Sequence, residues 1–216
     1  MKKDVMIVTG AGQIGMAIAR RTGFGKKIVL GDRSLKNAEA IAKIMNEAGY
    51  DVEAFQMDLS DRESILSLIG KALEYGPVKY LVNAAGVSPS QAPAETILKV
   101  DLYGTAVLLE EVGKVIAEGG SGVTISSQSG WRMPQLTPEE DRQLAATPTE
   151  ELLALELLQP ENIRRRTPLF QGQFFIPEGI RHIDDRTHPD FPDGIDDGPV
   201  IKTVTHPNAL CMGEGK

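Results

Sequence analysis

The segment Val8-Thr9-Gly10-Ala11-Gly12-Gln13-Ile14-Gly15 sets three glycines at G-x-G-x-x-G spacing, after an apolar run and before a helix-periodic one. Phosphate recognition explains each glycine. Gly10 permits the tight turn, Gly12 lets the backbone approach a pyrophosphate, and Gly15 lets the following helix sit close to the strand. The free N–H groups and positive dipole end of that helix, with Gln13 and Ile14 in its first turn, would then meet the phosphates. Taken alone, the glycines also fit a bare tight turn. Asp32 argues for the ligand: it ends the second apolar run, 22 positions after Gly10, where a carboxylate accepts hydrogen bonds from an adenosine ribose. A carboxylate there favours NAD over NADP, whose 2′-phosphate it would repel. Arg33 keeps NADP open, because a guanidinium can serve a 2′-phosphate or stack on adenine. An ordinary turn residue is the other reading of Asp32.

The elements that must position these residues alternate along the chain. Apolar runs at 4–10, 27–32, 52–58, 79–86 and 122–127 read as strands, and 13–22, 34–48, 60–74 and about 94–118 read as helices. Ser60 and Glu63 have the spacing of a capping box. Runs this apolar suit strands buried on both faces, and strict alternation implies right-handed crossovers. The expected fold is α/β, a Rossmann-type doubly wound parallel sheet, over a dinucleotide-binding core at 1–130. Residues 131–163 read as a helical insertion or lid. There Thr137-Pro138-Glu139-Glu140 and Thr147-Pro148-Thr149-Glu150 each place a capping Thr, a first-turn Pro and a third-position Glu, predicting two short helices. Residues 164–216 read as an irregular tail, holding all three histidines and one strand-like run, Pro199 to Thr205.

Composition narrows the partners. A chain of 216 residues suits one domain with an appendage. A formal net charge of −7 and a pI near 5.1 argue against nucleic acid as the ligand. A lone cysteine, Cys211, makes neither an intramolecular disulfide nor a thiolate metal cage. The first apolar run is broken by glycines too early for a signal peptide or a membrane span. A cytoplasmic protein with no membrane partner is expected. His182, Asp184, Asp185 and His188 carry metal-ligating atoms, but a solvated acidic loop explains them better, and no metal site is expected.

The order and spacing of Thr9-Gly10, Asp32, Met57-Asp58-Leu59, Asn83-Ala84-Ala85-Gly86, Val100-Asp101-Leu102-Tyr103-Gly104 and Ile125 to Gly130 resemble the short-chain dehydrogenase/reductase family over roughly residues 1–130. The resemblance implies an NAD(P)-dependent oxidoreductase acting on a small-molecule alcohol/carbonyl pair. It implies that Asp58, followed by Leu59, bonds the adenine amino group. It also implies that Asn83, Ala84 and Gly86 line the cofactor's ribose and stabilise the central sheet. Ser127 falls at the catalytic serine, which holds the substrate carbonyl or hydroxyl. The family is usually homo-oligomeric.

Three departures qualify that expectation. The glycines follow Thr-Gly-x-Gly-x-x-Gly rather than the commoner Thr-Gly-x-x-x-Gly-x-Gly. Asp101 replaces an asparagine that helps relay protons through water, and an ionised carboxylate accepts but does not donate. The family's proton-transferring tyrosine, with a lysine four residues on, has no counterpart: tyrosines stand only at 50, 75, 80 and 103, all before Ser127. The resemblance stops near Ile163, through either a genuine extension or a change of reading frame. With a frame change, the sheet would fall short at its C-terminal edge and interface elements would be missing. The expected protein is thus an impaired dehydrogenase; a catalytically silent dinucleotide-binding sensor or partner subunit is the alternative.

Overall fold

Side-chain alternation along the first strand, β1 (Val5–Thr9), accounts for the layers of the molecule. Val5 and Ile7 enter one apolar cluster and Met6 and Val8 another, on opposite faces of the strand. The computed structural model describes residues 2–127, 136–166 and 200–204. The other strands are β2 (Lys27–Asp32), β3 (Asp51–Gln56), β4 (Val78–Asn83), β5 (Ser121–Ile125) and β6 (Val200–Val204). The helices are α1 (Gln13–Thr22), α2 (Leu35–Glu47), α3 (Arg62–Tyr75), α4 (Ala94–Ile97), α5 (Thr105–Gly113), α6 (Pro138–Ala146) and α7 (Pro160–Arg166). Among the described residues the sheet has six strands in the order β3-β2-β1-β4-β5-β6, all paired in parallel. Helices α1 and α2 cover one face, while α3 and α5 cover the other. The Rossmann-type expectation holds, and the tail's one strand-like run supplies the sixth strand beside β5.

Strand order reverses between β1 and β4, so the turns leaving their carboxyl ends diverge and open a crevice there. A buried polar link fixes the two strands beneath it. Thr9 Oγ1 donates to Asn83 Oδ1 at 2.6 Å, and Asn83 Nδ2 donates to Thr105 Oγ1 at 3.3 Å, tying β1 and β4 to the first turn of α5.

Two helix starts differ from expectation for local reasons. Asp61, not Ser60, caps α3, accepting from the Glu63 N–H at 3.1 Å. Ser60 is drawn back to Asp58, to which its N–H and hydroxyl both donate. The capping box of Thr137 and Glu140 forms as read. The second predicted helix is instead a pair of 3₁₀ turns, Thr149–Ala154 and Glu156–Leu158. Thr147 ends α6, its hydroxyl bonding the Gln143 carbonyl at 2.6 Å. Leu152 is buried, and Leu158 packs with Leu98, Leu102 and Leu144, flanked by the partly buried Leu153, Leu155 and Leu157.

The helix expected at about 94–118 is interrupted by a π-helical turn, Leu98–Gly104, and ends at Gly113. Gly104 marks a backbone contact: a Cβ there would stand 2.1 Å from the Leu59 carbonyl oxygen. The turn distributes its side chains among three neighbours. Val100 enters the core over α3 and α5. Leu98 and Leu102 meet Leu144 and Leu158 of segment 136–163, and Asp101 faces the chain after β4. Arg62 adds a polar clasp, reaching Glu111, Glu110 (3.0 Å) and Glu150 of the same segment (2.7 Å). It holds the Glu110 carboxyl down to about 2. Leu102→Ala removes the middle of this contact and should cost about 2–5 kcal/mol in urea unfolding. Proteolysis within 136–163 should also begin earlier than in Leu68→Ala, which perturbs only the main core.

Candidate functional site

Gly10, Gly12 and Gly15 do three different things. Gly10 adopts φ +86°, and a Cβ there would lie 2.7 Å from the Ala84 and Ala85 backbone; a Cβ on Gly15 would lie 2.3 Å from the Gly10 carbonyl oxygen. Both serve close backbone packing. Gly12 is exposed, and a Cβ on it would meet nothing within 4 Å. It precedes α1, whose start carries neither a side-chain cap nor an acidic residue, while Arg20 and Arg21 end the helix. Exposed Gln13 and Ile14 flank this N-terminus. The geometry fits an anion approaching uncapped N–H groups over Gly12.

Asp32 stands beside that approach. Its Oδ2 accepts the Ala11 N–H at 2.8 Å and its Oδ1 the Ser34 N–H at 2.8 Å. Asn37, which the sequence reading did not single out, joins them: its Nδ2 reaches Ala11 O at 3.2 Å and Asp32 Oδ2 at 3.4 Å. No sequence signal marks Asn37, because an asparagine at the start of a helix is ordinary. Asp58 lies at the end of the neighbouring strand. Burial alone would raise its pKa, but two hydrogen bonds from Ser60 and the positive charges of Arg33 and Lys99 bring it below the usual carboxylate range. Arg33 itself is exposed. Asp32, Arg33 and Asp58 therefore gather along the carboxyl ends of β2 and β3.

Other expected contacts are structural supports. The side chains of Thr9 and Asn83 are buried and spent on each other and on Thr105. Leu59 is buried in the core. Ala84 receives the turn through its backbone, donating its N–H to Thr9 O at 2.9 Å, and Gly86 is exposed beyond it.

At the carboxyl end of β4, the Val87 N–H donates to Asp101 Oδ1 at 2.9 Å. A Cβ on Gly86 would sit 3.2 Å from the same oxygen. Burial pushes the Asp101 carboxyl up to about 6, and the Val87 hydrogen bond offsets only part of this. Ser127 is exposed just past β5, the strand next to β4. Gly130, Trp131, Met133, His182, Asp184, Asp185, His188 and Lys216 lie outside the described residues. Among the described residues no group of three metal-ligating side chains converges, and no helix is long and apolar enough to cross a membrane.

The four tyrosines are engaged elsewhere. Tyr50 bonds Arg20 O, Tyr80 lies under Lys26, and Tyr75 bonds Glu53 with Lys27 and Lys71 over its ring. The Tyr103 hydroxyl donates to Glu150 at 3.0 Å; burial and that carboxylate both raise its pKa.

Asp101 makes stability depend on pH. Its folded pKa exceeds the unfolded value, so the folded chain binds more protons between the two. Stability contributed by the neutral form is complete below about 4 and lost as pH rises through about 6. Asp101→Asn keeps an oxygen for Val87 and removes the buried charge. It should be more stable than the parent above that range, by about 2–3 kcal/mol before solvent screening, and equal to it near pH 4 in denaturant titrations.

Comparison with known proteins agrees with this architecture. The model of the short chain dehydrogenase family matches residues 4–137. The short-chain dehydrogenase/reductase bsc3 of Alternaria brassicicola is 38% identical over 160 residues, 74% of this chain and 58% of that protein. Carbonyl reductase [NADPH] 1 of Macaca fascicularis is 32% identical over 162 residues, 69% of this chain and 58% of that protein. A short chain dehydrogenase/reductase from Burkholderia phymatum, solved in complex with NAD, superposes with a TM-score of 0.54 at 25% identity, covering 63% of this chain and 52% of that one. The chain thus spans less than two thirds of the relatives it matches. With the glycine turn, the doubly wound sheet and the match over residues 4–137 in agreement, the chain belongs to the short-chain dehydrogenase family, whose members are NAD(P)-binding oxidoreductases.

Proposed function

We propose that this chain binds NAD in preference to NADP and belongs to an oxidoreductase for a small-molecule alcohol/carbonyl pair, with turnover impaired in the present form. The uncapped start of α1 over exposed Gly12, with the Asp32 carboxylate fixed beside it, carries the proposal. Gly12 and the first N–H groups of α1 hold the pyrophosphate. Asp32 accepts from the adenosine ribose and repels a 2′-phosphate, whereas Arg33 gives NADP a weaker foothold. Asp58 accepts from the adenine amino group, and Ala84 to Gly86 flank the second ribose. The bound nucleotide supplies hydride exchange. Ser127 holds the substrate oxygen, and Asp101 accepts a proton when ionised and donates one only below about pH 6.

Impairment follows from the tyrosines. A phenol becomes a proton-transfer group near neutral pH when a cation lowers its pKa, and the phenol of Tyr103 faces a carboxylate. The same observation favours a second reading, a dinucleotide-binding protein with no catalytic role.

Nucleotide titration of the full chain, followed by an assay for NADH formation across a panel of alcohols, separates the readings. Binding with slow turnover that Ser127→Ala abolishes supports the first, and binding without turnover supports the second. Binding of neither nucleotide rejects both. Gly12→Ala should melt with the parent yet bind NADH about tenfold more weakly, because its Cβ occupies the phosphate approach. Gly15→Ala should lose at least about 1–3 kcal/mol of stability, because its Cβ collides with the Gly10 carbonyl.

A further inference from the structure

We infer that Asn37 is a positioning residue that locks the Asp32 carboxylate and the glycine turn into one NAD-selective arrangement; the inference rests on the cofactor site proposed above. Its amide nitrogen spans two acceptors on separate elements, Ala11 O at 3.2 Å in the glycine turn and Asp32 Oδ2 at 3.4 Å at the end of β2. Both neighbours accept hydrogen bonds, so only the nitrogen of the amide can face them. An aspartate at this position would set a carboxylate against two acceptors, and an aliphatic residue would offer them nothing.

The arrangement is closed from the other side. The Ala11 N–H donates to the same Oδ2 at 2.8 Å, and the Ser34 N–H donates to Oδ1 at 2.8 Å. Ser34 Oγ accepts the Asn37 N–H at 3.3 Å, seating Asn37 in the first turn of α2. The Asp32 carboxylate thus receives three donors from the protein. An ionised carboxylate has about four acceptor positions, so about one remains for a ligand hydroxyl.

That count gives Asn37 a role in selectivity beyond holding the turn. A carboxylate free to rotate can swing away from a 2′-phosphate and tolerate it. One pinned by Ala11, Ser34 and Asn37 keeps its charge where a 2′-phosphate would have to sit, while a 2′-hydroxyl donates to the remaining position. Release of Asn37 removes one of the three restraints on Asp32 and the tie from α2 to Ala11. NADH loses a preorganised acceptor, and NADPH is relieved of part of the repulsion.

The test measures dissociation constants for NADH and NADPH, together with melting temperature, in the full chain, in Asn37→Leu and in Thr137→Ala. Asn37 is exposed, so its replacement leaves the apolar core untouched; Asn37→Ala serves as a second variant if the leucine form does not fold. The expected result is about tenfold weaker NADH binding in Asn37→Leu, NADPH binding changed by less than about threefold, and an affinity ratio moving toward unity. Thr137→Ala, which loses the cap of α6 rather than of α2, should lower the melting temperature and leave the ratio at its parent value. An unchanged ratio in Asn37→Leu overturns the inference. So does an equal loss of both affinities together with a lower melting temperature, which would make Asn37 structural only. If the parent binds neither nucleotide, the proposed cofactor site itself fails, an outcome visible before any variant is made.

Discussion

Three stretches of backbone meet at the switch point of the sheet with no side chain between them, and the remainder of the site is arranged around that contact. The Gly10 turn rests on Ala84 and Ala85, and the first turn of α1 rests on the Gly10 carbonyl. At each place a single methyl group would have to occupy space already filled by main chain. The approach directs α1 toward the crevice between β1 and β4 and leaves Gly12 as the exposed residue of the turn. The Thr9–Asn83–Thr105 link holds the same region from below. A buried polar chain is tolerable there because each member finds a partner, at a cost well below that of an unpaired group.

The π-helical turn is the second organising device. Single π turns within α-helices recur at functional sites, and this one divides its residues between segment 136–163 and the crevice. Leu98 and Leu102 are covered by the leucines of 136–163, and Asp101 faces Gly86 and Val87. The side that stabilises the turn is apolar and buried. The side that faces the crevice carries a carboxyl whose burial is unfavourable to its charge. Packing of segment 136–163 therefore offsets a local electrostatic cost at the crevice, a common relation between a strained position and its surroundings.

The glycine turn, Asp32 and the alternation of elements were legible in the sequence because each depends on local requirements: backbone freedom, the end of an apolar run, a period of 2 or 3.6. What escaped depends on contacts distant in sequence or on competition between near neighbours. Asn37 acquires its role from Ala11, 26 residues earlier. Ser60 has the right spacing for a cap but is claimed by Asp58 two residues before it. Leu98 and Leu102 have ordinary helical spacing, and nothing in their types announces the π turn that ends where Gly104 meets Leu59. Thr9 and Asn83 sit in family motifs, and only the folded chain shows their side chains buried and bonded to each other and to Thr105.

The location of the tyrosines separates cofactor binding from proton transfer in this chain. All strands of the sheet run parallel, so their amino ends share one edge and their carboxyl ends the other. Tyr75 has cations beside it, Lys27 4.4 Å and Lys71 5.1 Å from its ring, with its hydroxyl donating to Glu53. Yet Tyr75 ends α3 just before β4 begins, on the amino edge. A strand of five or six residues, roughly 17–20 Å, separates that edge from the glycine turn. Tyr103 lies nearer the crevice but points at Glu150, which favours the neutral phenol over the phenolate. Tyr75 stands at the wrong edge, and Tyr103 faces a carboxylate. The described residues therefore place no tyrosine–lysine pair at the mouth of the crevice, so under the proposed function nucleotide affinity and rate of turnover would vary separately.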